Sequence, residues 1–263
     1  MTTLTAPPAR RGAGALRAAG VFVERSLRQN LRDGEALLMA VLLPVLLMLV
    51  FTYVFGGAID PTGAYLSYVV PGIILTCAGF GASGVAVSVN RDVTTGAINR
   101  FRTMPIAGAT VLIGHVVASL LRNLVATGLV IGVGVALGFR PDATPLEWVG
   151  AVGVVGLYIL AITALFAFIG LVAGSPESAN GYGFLLLFLP YASSAFVPVE
   201  TMPSWLRGFS EHQPITPVIE TIRGLLTGTE IGTAGPLALV WCVGVVLVAG
   251  LLVALTFPRR LRR

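Results

Sequence analysis

The chain has 263 residues, of which 56% are hydrophobic and only 11% charged, with 32 glycines besides. A soluble domain carries about a quarter charged residues, so polar surface here is too scarce to cover a globule in water, and a polytopic membrane protein is expected. All 17 basic residues are Arg; without Lys the chain holds no complete GxxxxGK[ST] phosphate loop, and the placement of those Arg outweighs their net +5 as a clue to partners.

In chain order, residues 1–14 are rich in Thr, Ala, Pro, Arg and Gly and are expected to form a disordered tail. Over 15–34 the pattern turns helical. Leu16, Gly20, Val23, Leu27 and Leu31 share one face, and Arg17, Glu24, Arg25, Arg28 and Arg32 the other, with Glu24 and Arg28 a favourable i,i+4 pair. Such a helix suits the inner membrane surface, its Arg toward anionic headgroups; a solvated helix leading into the first span is the plainer alternative. The segment is too long and polar for a signal-peptide n-region, and no small-residue cleavage site follows the first apolar run, so nothing is expected to be removed.

A membrane core of about 30 Å needs roughly 20 apolar residues in a helix, and six runs qualify: 36–55, 66–89, a stretch within 107–139, 148–173, 181–199 and 237–257. The membrane-embedded body is therefore expected over 35–258, followed by a basic tail at 259–263. With six spans both termini share a side. Thirteen Arg, from Arg10 to Arg32, Arg91, Arg100 and Arg102, and Arg259 to Arg263, then lie on that side, whereas the other holds Arg140, Arg207 and Arg223 with seven acids. The excess of positive charge makes the first side cytoplasmic. Arg122 remains within the third apolar stretch, whose 33 residues are longer than a span requires; it either snorkels to the inner headgroups or marks a substrate or ion site. Cys77 and Cys242 sit in apolar runs without metal or redox spacing.

Two connections carry more than linker composition. The cytoplasmic loop from Asn90 to Ile106 has Gly96 for a turn, a short helix expected over 97–104, and Pro105 to start the next helix. Ile98, Phe101 and Met104 form a ridge flanked by Arg100 and Arg102, a shape suited to a groove in a cytoplasmic partner; simple positive-inside anchoring explains the Arg but not the Gly and Pro. The outer connection 199–235 has helix starts at Thr201 with Pro203 and at Thr216 with Pro217, and a stop at Gly228. One short helix carries Trp205 and Phe209, the other Val218, Ile222, Leu225 and Leu226, with Glu220 and Arg223 three apart. Their apolar faces are expected to dip into the outer headgroups, to shape an exit or merely to anchor. Among the many small residues, Gly128 and Gly132 make a GxxxG pair that could serve helix contact.

The loop residues Asp92, Gly96, Arg100, Phe101, Arg102, Met104 and Pro105 resemble the corresponding segment of ABC type-2 transporter permeases, particularly the daunorubicin-resistance-type drug exporters of actinobacteria. Leu121-Arg122-Asn123, Gly138-Phe139-Arg140 and the outer stretch from Pro198 through Met202, Pro203, Trp205, Leu206, Pro214, Pro217, Arg223 and Gly228 are similar to that pattern too. The resemblance covers about 16–257. Ser119, where relatives often carry an acid, and Glu211-His212-Gln213, where an Asn-rich turn is usual, depart from it. It implies an all-α, six-helix permease in a bacterial cell membrane that pairs with a second permease half and with two copies of an ATP-binding cassette subunit. ATP and Mg would be held by that subunit, with no cofactor or metal on this chain, membrane lipids around it and no nucleic-acid partner. By the resemblance, Glu24, Arg25, Arg28, Asp92, Gly96, Arg100, Arg102 and Pro105 couple to the ATPase, and the substrate is an amphiphilic drug-like or lipid-like molecule moved outward; a polysaccharide or glycolipid exporter has the same outline.

Other classes fit less well. A proton-coupled transporter needs ionisable groups inside the bundle, and none of the six runs contains Asp or Glu. Gly81-Ala82-Ser83-Gly84 resembles a rhomboid GxSG motif, with His115 in the next span, and an intramembrane serine protease would need those two side chains to meet. A membrane scaffold or receptor is the third class.

Overall fold

The computed structural model describes residues 34–95 and 109–260, all of them helix, turn or loop, with no strand among the described residues. Helix α1 (Gly34–Leu49) continues through a π-helical turn (Val50–Phe55) and a final turn (Gly56–Ile59). Thr62 then donates from its amide and hydroxyl to Asp60 Oδ1, at 2.9 and 2.6 Å, which turns the chain and holds the Asp60 carboxyl below the usual range. Helix α2 (Tyr65–Thr94) follows, then α3 (Ala109–Ala136) and α4 (Pro145–Val172). Gly138, at φ 114°, ends the α3 region, the fully buried Phe139 fixes the corner, and Arg140 donates to the carbonyl of Val135 at 2.7 Å. The Gly-Phe-Arg run is thus a helix stop built on a left-handed glycine and a basic cap. A reciprocal Thr144–Glu147 capping box, with Pro145 in the first turn, starts α4.

Among the described residues five helices are long and apolar enough to cross a membrane: Leu38–Ile59, Tyr65–Thr94, Leu112–Ala136, Pro145–Val172 and Ala234–Phe257, the last lying within α8 (Ala234–Arg260). The expected span at 181–199 is not a continuous helix. Helix α5 (Pro176–Leu186) has 11 residues, a 3₁₀ turn follows at Leu189–Ala192, and another at Val199–Thr201. Pro190 contributes no N–H to a helical ladder, and Ser193 diverts the backbone by donating to the carbonyl of Pro190 and accepting from the amide of Ala195. This broken segment still runs the length of α2. Asn90 bonds Ala173 at one end, Leu187 packs on Gly79 midway, and Tyr65 bonds the carbonyl of Phe196 at the other. The path is about 37 Å along α2 at 1.5 Å per residue.

Helix α2 is the axle of the bundle: 72% of its most apolar window is buried, against 17% for the first and last spans, which turn their Leu and Val side chains outward. Close approach is bought by missing side chains at two places. A Cβ on Gly72 would stand 2.6 Å from the carbonyl oxygen of Ala195, and one on Gly170 would collide with the backbone of Ala86. A Cβ on Gly128 or Gly132 of α3, by contrast, would meet no atom within 4 Å among the described residues.

The connection at 199–235 forms α6 (Ser204–His212) and α7 (Ile215–Thr227), and Gly228, left-handed at φ 71°, stops α7 as expected. Helix α6 leaves its aromatics out, with Trp205 79% exposed and Phe209 also exposed. The apolar face of α7 does not lie in a headgroup layer: Val218, Ile219, Ile222 and Leu226 are buried in the same core as Ile73, Ile74 and Tyr158. An amphipathic stripe reads alike for membrane surface and protein interior, and here the bundle took it.

Candidate functional site: two polar clamps on one helix

At the Tyr65 end of α2, Arg223 is 6% exposed and spends its guanidinium on three elements. Nη1 donates to Glu220 at 2.6 Å, Nη2 to the carbonyl of Ser194 at 2.8 Å and to that of Tyr68 at 3.2 Å, and Nε to Tyr68 again at 3.3 Å. Its Cζ also lies 3.9 Å from the centre of the Tyr68 ring. The planar fork thereby ties α7 to the first turn of α2 and to the broken segment, as a lysine could not. Tyr68 and Tyr65 reinforce it by donating to the carbonyls of Ser194 and Phe196 at 2.9 and 2.6 Å. The break in the segment leaves carbonyls without helical partners; this clamp supplies them. Ser210 and Gln213 do the same for Ala192 from α6 and the corner after it.

At the Asn90 end, the buried Asn90 amide donates to the carbonyls of Gly170 and Ala173 at 3.0 and 2.8 Å, closing the C-terminus of α4. Two residues on, Asp92 Oδ2 meets His115 Nε2 at 2.8 Å and joins α2 to α3. Ser175 and Ser178 cap α5 beside them, and the Ser175 hydroxyl, the backbone and nearby Arg91 hold the Glu177 carboxyl below its usual range.

Of the expected coupling residues, Asp92 is therefore a structural partner of His115, whereas Glu24, Arg25, Arg28, Gly96, Arg100, Arg102 and Pro105 lie outside the described residues. Of the four residues expected at an outer gate or interface, Glu220 and Arg223 meet, while Trp205 and Phe209 are exposed. Ser83 and His115 are not joined: the Ser83 hydroxyl donates to the carbonyl of Phe80 at 2.8 Å, and the His115 partner, Asp92, is nine residues along α2, about 13 Å away. Arg122 reaches across to the carbonyl of Gly81 at 2.6 Å and lines a lateral groove of about 410 Å³ between α1, α2 and α3. Neighbouring Asn123 is buried, donates to Ser119, and sits where a side chain on Gly81 would be. Sequence reasoning missed Asn90, Tyr65, Tyr68 and Ser194; the Tyr-x-x-Tyr spacing at the start of a span was the available signal.

The model of the ABC-2 type transporter family matches residues 17–227, a region that contains both clamps, the broken segment and the amphipathic α7. The chain belongs to the ABC-2 type transporter family. It is 35% identical over 225 residues to the daunorubicin resistance ABC transporter permease protein DrrB1 of Streptomyces coeruleorubidus, covering 84% of this chain and 77% of that one. It is 29% identical over 260 residues to the probable doxorubicin resistance ABC transporter permease protein DrrC of Mycobacterium tuberculosis, covering 94% and 92%. In this ABC-2 protein the family-like runs have distinct physical work. Gly138-Phe139-Arg140 stops a helix, Arg122-Asn123 packs α3 on Gly81 of α2, and Pro217 and Arg223 lie in the buried helix α7 that Gly228 caps and that carries the clamp.

Proposed function

We propose that this chain is the membrane-spanning subunit of an ATP-driven exporter that moves an amphiphilic drug-like or lipid-like molecule out of the cell, ATP being bound and hydrolysed by a separate subunit. The drug-resistance names of the two relatives support the substrate class, and the lack of Lys, hence of a phosphate loop, supports the division of labour. The partners are two copies of the ATP-binding cassette subunit and a second permease, either this chain or a homologue, for which the open face at Gly128 and Gly132 offers a seam. The asymmetry of Arg supports cytoplasmic termini and a cytoplasmic loop 90–106 in a bacterial cell membrane.

The observation that carries this reading is α2 itself, one 30-residue helix fastened at both ends. Motion delivered to the segment 90–106, whose receiving residues are Asp92, Gly96, Arg100, Arg102 and Pro105 with Glu24, Arg25 and Arg28, passes along a buried rod. It emerges where Arg223, Glu220 and Tyr68 hold the broken segment shut. Trp205 and Phe209 anchor α6 in the outer headgroups, where Trp is favoured. The test is ATP-driven uptake into inverted vesicles holding this chain and its ATP-binding partner. Arg100→Glu with Arg102→Glu is expected to abolish uptake and weaken copurification of the partner while insertion is normal; uptake and copurification both at the unsubstituted level would sink the assignment.

A further inference from the structure

Neither clamp uses Arg122, although a charge inside a span is costly and ordinarily marks a purpose. It stands ten residues, about 15 Å, into the span Leu112–Ala136. A side chain on a helix leans toward the N-terminus, and α3 begins at the Asn90 end, where His115 meets Asp92. The guanidinium therefore returns toward that end but stops short of it. Nη2 is fixed on the carbonyl of Gly81 at 2.6 Å and lies 3.9 Å from where a Cβ on Gly84 would be. Gly84 is five residues, about 8 Å, inside Val89, the last residue of its apolar run.

What this charge borders is the lateral groove of about 410 Å³ between α1, α2 and α3. Its far wall is α1, where Met39, Leu42, Leu43 and Leu46 line the groove and are exposed. The Cys77 thiol reaches the carbonyl of Ala40 at 3.4 Å, one turn of α2 deeper than Gly81, so the leucines that follow Ala40 continue into the span, away from Arg122. The other polar side chain on the lining, Ser83, turns its hydroxyl to the carbonyl of Phe80. A cation at the shallow end of a hydrocarbon trough is the complement of a phospholipid, whose phosphate sits above its acyl chains. The five donors of a guanidinium fork suit it to hold a backbone carbonyl and a phosphate together, and local thinning of a bilayer around a buried Arg brings headgroup and charge to one level.

We propose that this groove holds an anionic phospholipid of the leaflet at the Asn90 end, its phosphate on Arg122 and one acyl chain along Leu42, Leu43 and Leu46. The lipid fastens α1, whose most apolar window is only 17% buried, to α2 and α3. It is a resident of the fold rather than cargo, and the site stands independently of the export reading.

Native mass spectrometry of the detergent-purified full chain, titrated with phosphatidylglycerol or with phosphatidylcholine of the same acyl chains, reads the binding. The first phosphatidylglycerol is expected to bind about tenfold more tightly than phosphatidylcholine, whose choline opposes the Arg. Arg122→Gln should bring the two lipids within about twofold of each other, whereas Arg122→Lys keeps the charge and should retain a preference of about threefold. Gly84→Leu sends a side chain into the groove where only the guanidinium is near; it keeps the charge, favours the helix, and should weaken the first site by about tenfold. Arg140→Gln, at the opposite end of α3, should change nothing. An unaltered preference in Arg122→Gln, unaltered affinity in Gly84→Leu, or displacement of the lipid by inorganic phosphate, the mark of a free-anion site, would each overturn the proposal. So would the absence of any preference in the unsubstituted chain, which would leave the groove to a second copy of the protein.

Discussion

Arg223 shows how much one side chain can be asked to hold. It is almost wholly buried, yet each polar direction of its fork meets an oxygen, so its charge is compensated by Glu220 and its N–H groups by two carbonyls that the fold leaves open. Removing it uncovers those carbonyls as well as losing the ion pair, and Arg223→Ala is expected to cost about 2 to 3 kcal/mol. Arg223→Lys keeps the charge but cannot serve both carbonyls and the carboxylate from one plane, and should recover less than half of that loss. Thermal unfolding of the detergent-purified chain checks both. Asn90 works in the same way at the opposite end. Asn90→Leu fills the space but strands the carbonyls of Gly170 and Ala173, for an expected cost of about 1 to 2 kcal/mol in the same assay.

Among the elements, the spans with unbroken apolar runs were legible from length and composition alone, and α1, α2, α3, α4 and α8 coincide with the runs at 36–55, 66–89, 107–139, 148–173 and 237–257 within a few residues. The fifth run was apolar enough to be read as a helix, and its interruption depended on Pro190 and Ser193 finding local bonds that hydropathy does not register. The destination of α7 was equally hidden, because an apolar stripe specifies burial without saying in what. Glycine was the hardest case. A Cβ on either member of the GxxxG pair Gly128 and Gly132 would meet nothing within 4 Å among the described residues, whereas Gly72 and Gly170, with no motif around them, are where backbones meet. Gly72→Ala must push the broken segment off α2 and is expected to destabilise by about 1 to 3 kcal/mol. Gly128→Ala meets open space and should leave the unfolding midpoint of the isolated chain unchanged or slightly higher, since Ala favours a helix over Gly by about 1 kcal/mol.

For the whole molecule, composition alone pointed to a membrane protein and charge placement to an expected orientation, while the candidate site was only half legible. Glu220 and Arg223 were visible as an i,i+3 pair, but the carbonyls they face come from positions 68 and 194, far away in the chain, and no local pattern announces such a meeting. The same holds for Asp92, singled out as a loop residue and found tied to His115 on α3. What joins these observations is a buried helix with a polar fastening at each end, set in an ABC-2 family chain. If α2 transmits the work of an ATP-binding partner, nucleotide binding by that partner alters the Arg223 clamp. Hydrogen exchange of the peptide spanning residues 189–199, in the complex with the ATP-binding partner, tests it most directly. Faster exchange at 193–196 when ATP is trapped than without nucleotide is the predicted result; identical exchange in both states, in a preparation that still transports, would contradict it.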